Sequence, residues 1–215
     1  MKRSVAENVR RHVASARSGG FVHTADLVGR FESRAGVEVA LSRLAASEAR
    51  LVRVRRGLYW RPPNSRFGKA KPRPFDVAIE VARASCRGVG PAGWTALRAL
   101  GLTTQVPVKE ELAVSGAPPS RVPGVIFHSR SNPDRADLSY FEIAALEALR
   151  TGPMPGSEEW SKAVRSIAAL VADRRIRWNR LHRASANEPP RVRASVAALH
   201  SAIGTRDTSR TRVVA

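Results

Sequence analysis

Val5, Val9 and Val13 recur every fourth position across residues 4–18, with Arg10, Arg11 and Arg17 elsewhere on the surface and Gly19-Gly20 behind them. That spacing predicts an amphipathic helix ended by the glycine pair. Thr24 has the hydroxyl of an N-cap and predicts a short second helix through Leu27 and Val28. Ser33 or Arg34 opens a third helix, in which Val37, Leu41 and Leu44 fall at i, i+4 and i+7. Residues 49–60, Ala-Arg-Leu-Val-Arg-Val-Arg-Arg-Gly-Leu-Tyr-Trp, then switch to a period of two. Val52 and Val54 face one side of the predicted hairpin, Arg53 and Arg55 the other, and Gly57 supplies the backbone freedom of a tight turn. Three helices followed by an arginine-laden hairpin predict a winged helix-turn-helix over residues 1–62.

Residues 61–74 hold four prolines, one glycine and five basic residues with little apolar periodicity. Proline at this density continues neither strand nor helix, so residues 63–74 are expected to be a linker. Beyond it, Phe75, Ile79 and Ala82 mark an amphipathic helix over residues 75–87. A glycine-rich turn leads to a second helix near residues 94–100. Residues 111–115 and 125–129 read as paired strands around a Gly/Pro loop. Helices follow over 139–150, 157–172 (with Glu158 and Glu159 in its first turn) and 176–184. A last helix begins after Pro189-Pro190, carries Val192, Val196, Leu199 and Ile203 on one face, and is expected to stop at Gly204, leaving residues 205–215 as a loose tail. The expected fold class is α+β: a winged helix, then a mostly helical domain over 75–204 with a small β-sheet.

Composition sharpens this picture. The 215 residues carry a formal charge of +19 with 43% hydrophobic residues, enough for a core rather than a disordered basic chain. Residues 1–75 hold 17 basic and 5 acidic residues, net +12, and the remaining 140 are net +7. Charge of this sign and clustering favours a polyanion, because each neutralised phosphate releases condensed counterions. A solubilising surface in an arginine-rich proteome is the bland alternative. The start of the chain lacks the apolar stretch of a signal peptide and no run approaches a membrane span, so a cytoplasmic protein without membrane contact is expected.

If the N-terminal segment binds DNA, the third helix lies in the major groove, with Arg34, Ser42 and Arg43 nearest the base edges. Glu38 then either accepts from a cytosine amine or merely solvates the helix. Arg53, Arg55 and Arg56 serve phosphates or the minor groove and anchor the protein without reading sequence. Protein contact and RNA binding remain open for the same module.

The rest of the chain gives little chemistry. Gly88-Val-Gly-Pro-Ala-Gly93 matches a dinucleotide-binding pattern in letters alone; it follows a helix, and Pro91 removes an amide, so a turn between helices is expected. Cys86 is the sole cysteine, which excludes an internal disulfide and a cysteine-based zinc site. As a thiol it is either packed or reactive. His12, His23, His128, His182 and His200 stand apart in sequence, so neither metal nor cofactor is expected. Glu110-Glu111 and Asp134/Asp137 are the acidic pairs a metal-dependent nuclease would need to bring together. Trp94, Trp160 and Trp178 sit at helical positions among apolar neighbours and are expected in the core. In Arg174-Arg-Ile-Arg-Trp-Asn-Arg180, however, aromatic and guanidinium groups interleave, as on a base-stacking surface or a snorkelling helix face.

Three stretches together resemble a known family. Residues 21–60, from Phe-Val-His-Thr-Ala-Asp-Leu through Val-Arg-Arg-Gly-Leu-Tyr-Trp, are similar to the winged helix of AbiEi-type antitoxins, the transcriptional-regulator half of AbiE-like type IV toxin–antitoxin pairs. Gly93-Trp-Thr-Ala-Leu-Arg-Ala-Leu-Gly-Leu102 with Gln105-Val-Pro107 resembles their antitoxin domain, and Glu188-Pro-Pro-Arg-Val-Arg-Ala194 adds a further match. The resemblance spans about residues 4–204. It implies a non-enzymatic repressor that binds inverted repeats in its own promoter through Arg53, Arg55 and Arg56, with Arg34 and Arg43 on the helix before. It implies too that the C-terminal domain opposes a nucleotidyltransferase-like toxin, with or without a stable complex. No residue of that domain receives a role. A conventional regulator without antitoxin activity, and a DNA-processing enzyme delivered by its winged helix, are the alternatives.

Overall fold

The computed structural model describes residues 4–31, 33–47, 51–63 and 70–211, and the chain divides into two units, residues 1–77 and 78–215. The division between the two units falls inside a helix. Pro74 sits at the first position of α4 (Pro74–Arg83), where a missing N–H costs nothing because that group has no intrahelical acceptor. Arg50 and residues 64–69 of the linker lie outside the described residues.

In unit 1, α1 (Val5–Ser15) is capped by Ser4, whose hydroxyl accepts from the Glu7 amide. Strand β1 (Gly20–His23) follows, then α2 (Thr24–Phe31), α3 (Arg34–Ser47) and the strands β2 (Val52–Arg55) and β3 (Leu58–Arg61). The helical spacings hold: Val9, Val13, Leu27, Val37, Leu41 and Leu44 are buried together with Val22, Leu51 and Tyr59. β1 leaves no mark on the sequence pattern because it has only four residues with one buried side chain. It pairs antiparallel with β3, giving a three-stranded sheet in the order β1-β3-β2. The hairpin turn is only Arg56-Gly57, and Gly57 takes φ +76° with open space where a Cβ would be. Conformation, not crowding, therefore requires the glycine there.

In unit 2, β4 (Arg87–Pro91), β5 (Glu110–Ser115) and β6 (Val125–Arg130) form a second sheet, with β4 antiparallel and β6 parallel to β5. The glycine-rich segment expected to be a turn is thus a strand. Its glycines answer to packing. A Cβ on Gly90 would lie 2.6 Å from the Ile143 side chain, one on Gly88 would strike the Arg135 carbonyl, and one on Gly93 the Glu111 carboxylate. The predicted β5–β6 pair is present, and its two strands run parallel.

The helices are α5 (Gly93–Ala99), α6 (Tyr140–Thr151), α7 (Glu158–Ala172), α8 (Trp178–Ser185) and α9 (Pro190–Thr211). A 3-10 turn (Pro133–Asp137) is opened by the Asn132 side chain, which accepts from the Asp134 amide. α6 begins with a reciprocal Ser139/Glu142 capping box and is buried from Glu142 through Leu149, which makes it the central helix of the unit. α9 continues through Gly204 to Thr211, which corrects the expected stop and loose tail. A glycine inside a helix costs only about 1 kcal/mol against alanine and does not by itself end one. Residues 212–215 of the expected tail lie outside the described residues. Among the described residues no helix is long and apolar enough to cross a membrane.

Candidate nucleic-acid interface

The six residues singled out from sequence fall on two neighbouring elements of unit 1, α3 and the β2–β3 hairpin, and the structure sorts them. Arg53 and Arg56 are exposed, one on β2 and one in the turn. Arg55 is half-buried, and it does not share a simple alternating face with Arg53. A bulge at Val54 shifts the register, so that Arg53 stands opposite Tyr59 and Arg55 opposite Leu58. An extra residue in one strand breaks the period of two on which the expectation rested.

On α3, Val37, Ala40, Leu41 and Leu44 are buried. At 100° per residue the face opposite this stripe is centred on Ala35, Val39, Ser42 and Ala46, all exposed, with Val39 at 49%. Ser42 therefore sits in the middle of the outward face, while Arg34 and Arg43 flank it on either side. Arg34 is engaged: its Nε donates to Glu38 Oε1 at 3.1 Å, one turn on. Glu38 accordingly has a guanidinium for a partner. Exposed pairs of this kind contribute only about 0.3–0.5 kcal/mol and are readily exchanged for another partner. Val39 is absent from the sequence candidates because a valine in a helix suggests core; its place opposite the buried stripe is legible from the same wheel.

The arginines of unit 2 are used differently. Glu147 on α6 and Glu188 before α9 are buried, as is Arg135 of the 3-10 turn. Arg130 makes a two-pronged contact with Glu147 at 2.8 and 2.7 Å. Arg135 donates to Glu147 at 2.6 Å and to both oxygens of Glu188 at 2.6 and 2.9 Å. Arg150 reaches Glu188 at 2.6 Å, and the Asn132 amide donates to it at 2.7 Å. Burial pushes both carboxyls up. The hydrogen bond from Arg130 and the charges of Arg135 and Arg130 outweigh this for Glu147, and Arg135, Asn132 and Arg150 do so for Glu188, so both lie below the ordinary glutamate range. Burial lowers Arg135, but its two carboxylates raise it further. Glu142, the capping-box residue, is pushed up by burial and brought lower again by the side chain of Arg177 and by the Ser139 and Arg177 amides. This network makes a structural residue of Glu188, the first residue of one of the stretches that carry the family resemblance. It could not be seen in the sequence, because Glu147 and Glu188 look like surface residues until the fold encloses them.

Most of the remaining candidates are occupied by the fold. Glu110 accepts from Thr95 at 2.9 Å and from Arg98. Glu111 accepts from the Trp94 amide and contacts His128 Nε2 at 2.7 Å, which gives one of the supposedly isolated histidines a carboxylate partner. Asp134 accepts from the Asn187 amide group. Among the described residues no group of three or more His, Cys, Asp or Glu side chains could hold a metal. Cys86 is buried with its Sγ against the Ala117 carbonyl at 3.1 Å, the packed alternative. Trp94 is 50% exposed rather than in the core. It lies on a groove of about 690 Å³ with Leu97, Leu102 and Met154, whose cations Lys162 and Arg191 are spent on the Leu102 and Gly152 carbonyls.

The protein Rv2827c from Mycobacterium tuberculosis, known from a crystal structure, is similar over 95% of this chain and 79% of its own, at 18% identity and a TM-score of 0.44. No curated protein matches the sequence. The model of a family of unknown function, DUF6088, matches residues 8–123, more than half of the chain, from α1 to the loop before β6, and the chain belongs to that family.

Proposed function

We propose that residues 1–62 form a winged helix that grips duplex DNA, and that the protein represses its own operon as the antitoxin partner of a nucleotidyltransferase-like toxin. The observation that carries the DNA reading is the arrangement of unit 1. Helix, strand, helix, helix and hairpin follow one another, with the sheet ordered β1-β3-β2 and Arg53 and Arg56 exposed on a two-residue-turn hairpin. In this reading α3 enters the major groove with Val39 and Ser42 at its centre. Val39 suits a thymine methyl, and Arg34 exchanges Glu38 for a base edge or phosphate. The hairpin arginines bind phosphates. The concentration of charge in residues 1–75 supports a polyanion partner.

The antitoxin part rests on the resemblance of residues 93–107 and 188–194 to AbiEi-type proteins. In this chain those stretches form α5 with its following loop and the start of α9, where Glu188 anchors the ion network. Their buried members, Thr95, Ala96, Leu100, Glu188 and Val192, help to hold unit 2 together. The protein acts by binding rather than by catalysis, as a soluble cytoplasmic regulator.

Two measurements test this. On a duplex spanning its own promoter, Arg53→Ala with Arg56→Ala should weaken binding on promoter and random DNA alike, whereas Ser42→Ala or Val39→Ala should reduce preference for the promoter by about 1–3 kcal/mol at most. Co-expression should rescue cells from a toxin encoded beside it. Promoter binding without rescue would leave a conventional regulator, and no promoter binding would remove the central reading.

A further inference from the structure

Residues 174–183, Arg-Arg-Ile-Arg-Trp-Asn-Arg-Leu-His-Arg, carry five arginines and no acid. The fold commits three of them. Arg177 is held by Glu142 and the Asp137 carbonyl, Arg180 leans on that same carbonyl, and Arg175 lies 4.0 Å over the Phe141 ring. Arg174, at a left-handed turn before α8, and Arg183 on α8 are exposed.

Beside them is an aromatic cluster formed by two helices. Trp178 of α8 lies nearly parallel to His200 of α9, with centroids 5.5 Å apart and planes within 8°. The indole Nε1 donates to His200 Nδ1 at 3.0 Å. A neutral His200 that accepts at Nδ1 carries its proton on Nε2, which leaves an N–H donor. His182, one turn after Trp178, stands 5.7 Å from His200 and 6.2 Å from the indole. Both histidines are exposed and Trp178 is half-buried.

A cluster that only fastened α8 to α9 would need neither exposed rings nor arginines left in solvent. We propose that this corner of unit 2 binds single-stranded nucleic acid, with unpaired bases stacking on the His182/His200/Trp178 cluster and Arg174 and Arg183 meeting the phosphates. Exposed aromatic faces flanked by guanidinium groups are what a strand with unstacked bases requires. Duplex bases are already stacked on one another and leave the ring cluster nothing to take up. The surface belongs to unit 2 and is independent of the duplex-binding reading of unit 1.

The test uses the full chain with fluorescein-labelled 12-mers of oligo(dT) and oligo(rU), beside a promoter duplex. His182→Ala with Arg183→Ala should weaken binding of the single strands by about 5-fold or more, the lower end of what losing one stacked base costs, with the lost phosphate interaction adding to it. His182→Phe, which keeps a ring, should retain most of the affinity, and none of these changes should alter duplex binding. A difference between the two oligomers tells whether the 2′-hydroxyl is read; binding of either one supports the site. The inference fails if neither oligomer binds, or if the double variant binds them like the wild type. It fails too if the Phe variant loses as much as the Ala variant, or if Arg53→Ala with Arg56→Ala abolishes oligomer binding while the α8 changes spare it.

Discussion

In residues 1–77 the arginines of the hairpin turn and of α3 stand in solvent, whereas in residues 78–215 Arg130, Arg135 and Arg150 converge on two carboxylates exposed by 0% and 3%. At these positions the same side chain is a surface charge in one unit and an internal tie in the other. A solvated guanidinium contributes little to stability and is free to exchange water for phosphate. A buried one has lost its water and depends on its carboxylate partners. Counting arginines therefore overstates the charge that unit 2 can offer a polyanion.

Breaking the ties should have the largest effect. Glu188→Ala would strip Arg135 of both its bonds to that carboxylate and Arg150 of its closest one, and should destabilise unit 2 by about 3–5 kcal/mol. Arg53→Ala or Arg56→Ala should stay within about 0.5 kcal/mol of the wild type. Peptide-resolved hydrogen exchange would follow the two units separately. Equal destabilisation by the two kinds of change would erase the contrast.

Acid should separate the units next. Glu142, Glu147 and Glu188 are held below the ordinary carboxyl range in the folded chain. Their stabilisation is complete above the unfolded glutamate pKa of about 4.3 and is lost as pH falls through the lower folded values. Unit 2 should therefore lose stability from about pH 4 downward, and the Glu188→Ala variant should show a shallower acid dependence. An acid profile unchanged by that substitution would mean that Glu188 does not carry the linkage.

The legibility of the sequence follows the same division. Where burial repeats at helical spacing, as at Val9/Val13 and Val37/Leu41/Leu44, the pattern reports the core directly and three helices of unit 1 can be read off. Short or irregular pieces escape. β1 buries one residue of four. The bulge at Val54 is a register property of a strand pair rather than of one strand. β4 is hidden because glycine and proline disfavour strands, while Gly88 and Gly90 are demanded by the approach of Arg135 and α6. Glu147 and Glu188 are illegible for a different reason. A buried carboxylate is spelled like an exposed one, and only the tertiary fold brings Arg130, Arg135 and Arg150, scattered over 21 positions, to the same two groups.

The most direct test of the DNA-binding claim is the salt dependence of promoter binding by the wild type and by the chain carrying Arg53→Ala and Arg56→Ala. If both arginines touch phosphates, the slope of log K against log salt should become shallower by about 1.8, roughly 0.9 for each phosphate no longer neutralised. Parallel lines with unchanged affinity would contradict the assignment, because cations that release no counterions on binding do not lie against DNA.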